Sequence, residues 1–309
     1  ELFCTFGILA WMYPATITVP RPSWRTTRSE ICRSRFYNFS ISIYSQRRLV
    51  LILKILAVVV TFNRQKLLER CIQNIHHQSR PPDSLLVINN SSTDGTEQFL
   101  KQNNINFITQ ANLGSAGGWH RGIDYAEQKN FDACWLMDDD GYPQLESLEK
   151  LEKSFAENTS CISSIVVEED QNNRFVFPMP KLNKNKLPVL MSRKRKITST
   201  NSEYFLHHSH YPFVHLFNGA LISVNAIKKI GNVNTNFFMM GDEVDYFFRL
   251  RSVGEVSSLL DAKHFHPAVR NRPYSEIKVY YLIKNTIILH NHYFDFPLLR
   301  NLGLILITA

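Results

Sequence analysis

Residues 132–140 read DACWLMDDD, an apolar stretch that runs straight into Asp138, Asp139 and Asp140. Three adjacent carboxylates at the end of a buried strand repel one another unless a cation neutralises them. Alternate residues of an extended chain point to one side, so Asp138 and Asp140 are expected to converge on one ion. Oxygen ligands suit Mg²⁺ or Mn²⁺. The CWLM before them is too apolar for a casual surface turn.

The same pattern repeats upstream. LVLILKILAVVVTF (49–62) is an apolar, β-branched run that ends in the polar Thr61, Asn63 and Arg64. KLLERCIQNIHHQ (66–78) spaces Leu67, Leu68, Cys71, Ile72 and Ile75 as one helix face, and Pro81-Pro82 stop it. SLLVINN (84–90) is a second buried strand, TEQFLKQNN a helix, INFITQAN a third strand and GSAGGWHRGIDYAEQKN a helix opened by glycines. Strands alternating with helices predict right-handed βαβ units and an α/β fold with a mainly parallel sheet. Ligands bind such sheets at the carboxyl ends of the strands. TFNR, NNSSTDG, ANLGSAGG and DDD all fall at those ends. Gly114, Gly117 and Gly118 allow close backbone approach where a helix begins, a place that favours phosphate, although neither G-K-[ST] nor G-x-G-x-x-G is present.

FFMMGDEVDYFFRLRSVG (237–254) is the second sharp feature. Asp242, Glu243 and Asp245 open a helix among aromatic residues. Apolar surroundings and neighbouring carboxylates raise a carboxyl pKa, which suits a general base, while helix N-capping alone would account for Asp242. Arg249 is placed to pair with Asp245. One of His264 and His266, in HFHP (264–267), could complete a metal site with the aspartates. His207, His208, His210 and His215 read as surface or packing residues.

The chain has 309 residues, is 44% hydrophobic and 20% charged, and bears a net charge of +8. That excludes disordered, collagen-like and coiled-coil proteins. Much of the positive charge belongs to seven arginines within residues 1–48, so the body is only mildly basic and no nucleic acid partner is expected. Residues 1–48 lack periodicity and read as a poorly structured extension. Five scattered cysteines (4, 32, 71, 134 and 161) point to reduced thiols in a cytoplasmic protein. KLNKNKLPVLMSRKRK (181–196) reads as a long basic loop. The apolar tail 296–309 reads as stopping mid-element, with more chain beyond it.

Together VVVTFNR, VINNSSTDGT, NLGSAGGWHRGI, WLMDDDG, FNGALIS, FFMMGDEVDYFFRL and the late His-Pro resemble glycosyltransferase family 2, over roughly 55–295. The WLMDDDG and GDEVDY forms look closest to its galactofuranosyl- and rhamnosyltransferase branch. The resemblance implies a GT-A, Rossmann-like fold: a mostly parallel sheet flanked by helices, with a C-terminal acceptor-side helical region. The domain would span 49–295, with a nucleotide-binding half (49–150) and an acceptor and catalytic half (151–295).

The resemblance also implies a UDP- or dTDP-sugar donor, Mg²⁺ or Mn²⁺, inversion at the anomeric carbon, and a glycan or lipid-linked acceptor in cell-surface polysaccharide synthesis. Peripheral contact at the inner face of the cell membrane goes with such an acceptor. Carried onto this chain, Thr61, Asn63 and Arg64 lie in the first nucleotide-binding loop. Asn89, Asn90 and Asp94 contact base and ribose. Asn112, Gly114, Gly117 and Gly118 line the pyrophosphate side, and Asp138 and Asp139 belong to the donor site. Asp138, Asp140 and His266 match the metal ligands. Glu243 matches the base, with Asp242 its rival. Asn89 stands where the family has Asp. The competing readings are a sugar-nucleotide nucleotidyltransferase and a non-catalytic nucleotide- or glycan-binding protein of the same fold. Acceptor choice is expected to lie in a variable loop around 165–215.

Overall fold

The computed structural model describes residues 53–189, 196–269 and 275–308. The extension 1–48, Cys4, Cys32 and residues 190–195 of the basic loop lie outside them. The first half alternates as β1 (Ile55–Thr61), α1 (Gln65–His76), β2 (Ser84–Asn89), α2 (Thr96–Gln102), β3 (Phe107–Thr109), α3 (Gly114–Gln128) and β4 (Ala133–Asp138). Then come β5 (Tyr142–Pro143), α4 (Ser147–Ser154), β6 (Thr159–Glu168), β7 (Arg174–Pro180), β8 (Lys196–Ser199) and β9 (His210–Tyr211). The second half closes with β10 (Asn218–Ser223), α5 (Val224–Ile230), α6 (Asp242–Arg251), β11 (Glu255–His266), α7 (Glu276–Tyr293) and α8 (Pro297–Thr308).

One sheet carries both halves, in the order β3-β2-β1-β4-β10-β6-β11-β5. β3, β2, β1 and β4 are mutually parallel, as the alternation predicts. β10 runs against both β4 and β6, and β11 is parallel to β6. Two reversals restore direction, so the carboxyl ends of β1, β2, β4, β6 and β11 all meet at one edge. This places His266, the last residue of β11, beside the acidic end of β4.

β1 shows why the chain folds this way. Leu56, Val58 and Val60 face one core with α3, α5 and α6, and Ile55, Ala57 and Val59 face another with α1, α2 and α4. A strand apolar on both sides must be covered on both sides. Each such buried aliphatic side chain contributes about 1.5–3 kcal/mol. Gly118 and Gly122 of α3 bring that helix close: a Cβ on them would lie 2.5 and 2.4 Å from Val60 and Val58.

The structure departs from the sequence reading in two places. Of the apolar run read as a strand, Leu53 and Lys54 are described and precede β1, with the Lys54 amide donating to the Asp132 carboxylate (2.8 Å). The presumed variable loop 165–215 holds β7, β8 and β9, packed on β6 around Ile165, Val167, Phe175, Met179, Ile197 and Tyr211. The apolar tail forms α8. Cys71, Cys134 and Cys161 are buried free thiols. Among the described residues no helix is long and apolar enough to cross a membrane.

Candidate active site

β4 ends at Asp138, and Asp139 and Asp140 lie in the turn beyond it. The expected alternation of Asp138 and Asp140 on one strand face therefore does not apply. Asp139 turns inward and is 2% exposed. It accepts from Thr61 Oγ1 at 2.7 Å and pairs with Arg64 at 3.0 Å. Asp140 takes the same Arg64 nitrogen at 2.7 Å through Oδ2, while its Oδ1 lies 3.2 Å from His266 Nε2. Sequence reasoning did not find Arg70 of α1. It donates to the Asp140 carbonyl (2.9 Å), pairs with Glu169 (2.8 Å) and stacks over Tyr142, so it fixes the turn from behind. A lone arginine inside an amphipathic helix gives no signal of that task.

The electrostatics follow from burial and proximity. Burial, then the charges of Asp140 and Asp139, push the Asp138 carboxyl well above its usual range. Burial lifts Asp139 to about 6 against the pull of Arg64. For Asp140 burial also acts upward, but His266 and Arg64 overcome it and hold the group near 2. Burial works to lower His266, and Asp140 more than offsets it, so its pKa is raised.

Whether these residues suit a divalent cation can be read from their donor set. His266 Nδ1 lies 2.7 Å from the Pro267 carbonyl, so that nitrogen carries the proton and Nε2 presents a lone pair. The Asp140 Oδ1 it faces is buried and has no other partner than His266. Two acceptors 3.2 Å apart are reconciled by a proton or by a cation, and a carboxylate beside an imidazole nitrogen is a cation's ligand set. The residues fit. They supply two ligands rather than a finished cage: among the described residues no three His, Cys, Asp or Glu side chains converge in a metal-holding arrangement. His264 is not part of the pair. It is fully buried between Gly141 and Gly219, where burial lowers it to about 3 and keeps it neutral.

The neighbouring loops are tied into a platform. The Asn63 amide donates to Ser92 Oγ (2.9 Å), and Asn63 Oδ1 accepts from the Thr93 amide (2.6 Å). Asp94 accepts from the Gln65 amide (3.0 Å), capping α1 from across the edge, and from Thr96. Asn89 is buried between Thr109 and the Ser92 amide, and Asn90 between the Gly114 carbonyl and Gln110. Asn112 caps the Gly114 amide at 3.1 Å. The Ala116 amide is taken by the Phe238 carbonyl and the Gly117 amide by that of Leu113. Glycines and asparagines expected to meet a ligand are thus also the fasteners of this edge.

α6 supplies the opposite wall. Asp242 is buried, accepts from Ser115 Oγ at 3.2 Å, and is raised by burial to about 6. Glu243 is half-buried and is lifted to about 7, by burial first and the Asp242 charge second. The Asp242 charge also acts, as a minor cause, to raise Asp138. Asp245 is structural: it accepts from Tyr293 (2.6 Å) and, as expected, pairs with Arg249 (2.8 Å). The turn before Asp242 is strained, with positive φ at Phe238, Met240 and Gly241. Non-glycine residues in such conformations cost about 1–3 kcal/mol each and cluster at functional sites.

Gly114 is where the two walls touch. It has φ +73°, and a Cβ there would lie 2.1 Å from the Phe238 carbonyl oxygen. Gly114→Ala is expected to cost about 3 kcal/mol, from left-handed backbone plus overpacking. Gly231→Ala separates backbone strain from overpacking: φ is +78° and ψ 177°, a region essentially confined to glycine, but nothing lies within 4 Å, so a backbone cost of about 1–3 kcal/mol without a clash is expected. Denaturant unfolding of both variants measures the difference.

The sequence pattern of glycosyl transferase family 2 matches residues 56–217. The chain belongs to glycosyltransferase family 2. This glycosyltransferase is 30% identical over 217 residues to galactofuranosyltransferase GlfT1 of Mycolicibacterium smegmatis, covering 68% of this chain and 70% of that protein. It is 24% identical over 240 residues to the low-salt glycan biosynthesis hexosyltransferase Agl10 of Haloferax volcanii, covering 74% and 73%. Its fold is that of the GT-A glycosyltransferases. The mannosyltransferase PcManGT from Pyrobaculum calidifontis, solved with GDP-Man and Mn²⁺, superposes with a TM-score of 0.52 at 17% identity. That match covers 78% of this chain and spans 63% of the mannosyltransferase.

Proposed function

We propose that this glycosyltransferase moves a sugar, with inversion, from a nucleoside-diphosphate donor to a hydroxyl of a glycan or lipid-linked acceptor. Galactofuranose is the first candidate sugar, on the likeness to the galactofuranosyltransferases, and rhamnose from a dTDP donor is the second. What supports the reading is the meeting at one edge of the Asp140–His266 pair and the raised carboxyls of α6.

Asp140 and His266, with Asp138 adjoining, would hold Mg²⁺ or Mn²⁺. When bound, the cation supplies neutralisation of the charge that develops on the departing diphosphate. Arg64 fixes the direction of Asp139 and Asp140, and Thr61 keeps Asp139 inward. Thr61, Asn63 and Arg64 form one side of the donor loop and Asn89, Asn90 and Asp94 the other, while Asn112, Gly114, Gly117 and Gly118 shape the diphosphate side as supports. Glu243, near neutrality in its pKa and with no hydrogen bond among the causes acting on its carboxyl, takes the proton of the acceptor hydroxyl as that oxygen attacks. Asp242 stays with Ser115 and holds the Glu243 pKa up. The remaining parts of the reading are a cytoplasmic location with peripheral membrane contact, for which Leu298, Leu299 and Leu302 of α8 are exposed, and a role in cell-envelope polysaccharide synthesis.

The test is nucleoside-diphosphate release from UDP-galactofuranose and from dTDP-rhamnose, with Mn²⁺ and a galactofuranosyl or rhamnosyl lipid-linked oligosaccharide. Release that requires both acceptor and protein supports transfer. Tight nucleotide binding with no release from either donor favours the non-catalytic binding protein.

A further inference from the structure

VYYLIKNTIIL (279–289) is an apolar stretch of α7 that carries an asparagine in its middle. Asn285 is 1% exposed, an unusual place for an amide. Its Nδ2 lies 2.9 Å from the carbonyl oxygen of Phe237, 2.8 Å from that of Met239 and 2.6 Å from that of Met240. Three carbonyls facing one group demand a donor there, so the amide orientation is fixed by chemistry.

Those carbonyls belong to the turn that precedes the α6 carboxylates. The turn folds on itself through a 2.7 Å bond from the Met239 amide to the Phe237 carbonyl, with Phe238 at φ 60°, ψ −58°. This is a γ-turn of the rare positive-φ kind. Met240 (φ 63°) and Gly241 (φ 98°) continue in left-handed backbone, and the Gly241 carbonyl then accepts from Val244 and Asp245 to start α6. Such a path persists only where the surroundings over-determine it. Four groups do so: Asn285 from α7, the Ala116 amide and the Ser115 hydroxyl on the Phe238 carbonyl from α3, and Tyr281, whose ring stacks on Phe238 at 5.0 Å. A Cβ on Gly241 would meet Leu289 at 3.1 Å and Asn285 at 3.3 Å, so α7 lies directly against the turn. Tyr293 of the same helix holds Asp245.

We propose that Asn285 is a positioning residue for transfer: its amide pins the 237–241 turn, and the turn sets where the first turn of α6 presents Asp242 and Glu243. The proposal rests on the reading of those carboxylates as the proton acceptor. It assigns α7 a task that neither the acidic motifs nor the sheet edge performs. It also explains why an amide is one of the few buried side chains of α7.

Asn285→Asp replaces the donor by an anionic oxygen facing three carbonyls, and Asn285→Leu removes the polar group at similar size. Two readings are taken on both variants. With UDP-galactofuranose and Mn²⁺, kcat is expected to fall about 100-fold with donor KM within about threefold, as for a misplaced reacting group. Deuterium uptake in peptides covering 237–247 is expected to rise about tenfold, with uptake in 56–72 unchanged. Turnover within about twofold of wild type overturns the proposal. So does uptake that rises equally in both peptides, because it marks a loss of overall stability. If the wild-type protein transfers nothing, the transferase reading falls, and the exchange data alone decide whether Asn285 holds the turn.

Discussion

Replacing Glu243 by glutamine is expected to lower sugar transfer by about a hundred- to ten-thousand-fold, the range of general-base assistance. Nucleotide binding should survive, because the bonds that hold Arg64, Asp139 and Asp140 do not involve Glu243. Asp242→Asn should reduce the rate less, because its amide oxygen still accepts from Ser115 and only the charge that lifts Glu243 is lost. In wild type the rate should rise with pH through about 7, since Glu243 must be unprotonated to act and its pKa is held near 7. The same burial makes a stability prediction. A carboxyl whose folded pKa exceeds its unfolded value keeps its proton more tightly when folded. Its contribution is therefore full below the unfolded value, 4.5, and declines as pH rises to about 7. Glu243→Gln should thus be more stable than wild type at pH 8, by on the order of 2 kcal/mol, and not at pH 4. An inactive variant that gains stability only at the higher pH is the signature of a carboxyl whose raised pKa serves function. A variant equally active, or equally stable at both pH values, would assign the proton to another group.

Asp140→Asn tests the other wall. An amide keeps the shape of the carboxylate but loses the charge that balances Arg64 and draws a cation. Removing one well-placed electrostatic group costs about a hundred- to a thousandfold in rate. The Mn²⁺ concentration for half-maximal rate should rise at the same time. Arg70, by holding the Asp140 carbonyl, should keep the turn folded, so unfolding should change little. A variant with wild-type rate and metal response would remove Asp140 from the site.

Much of this edge was legible from sequence. Apolar runs of β-branched residues, spaced helices and polar strand ends give β1 to β4 with their helices, because a doubly covered parallel sheet imposes a strong pattern on the chain. The acidic cluster and the GDEVDY motif mark the two walls for the same reason: charge is costly beside buried apolar strands. The acceptor half hid its strands. RFVFPMP is broken by prolines, and β5 and β9 are two residues each, too short for a period to show. Strand alternation failed at Asp139 because a turn starts there. Contacts between distant segments, such as Ser115 with Asp242, Arg70 with Asp140 and Asn285 with Met240, leave no local trace. Only Asn285 offered a hint, as an amide within an apolar helix.

The central claim is that the acidic end of β4 and His266 bind the donor's diphosphate through a divalent cation. Calorimetric titration of UDP and of dTDP into the protein, in Mn²⁺ and then in EDTA, tests it most directly. The account predicts that one nucleotide binds in Mn²⁺ and that EDTA weakens it at least about 100-fold, or roughly 2.7 kcal/mol. Equal affinity in both solutions would contradict it.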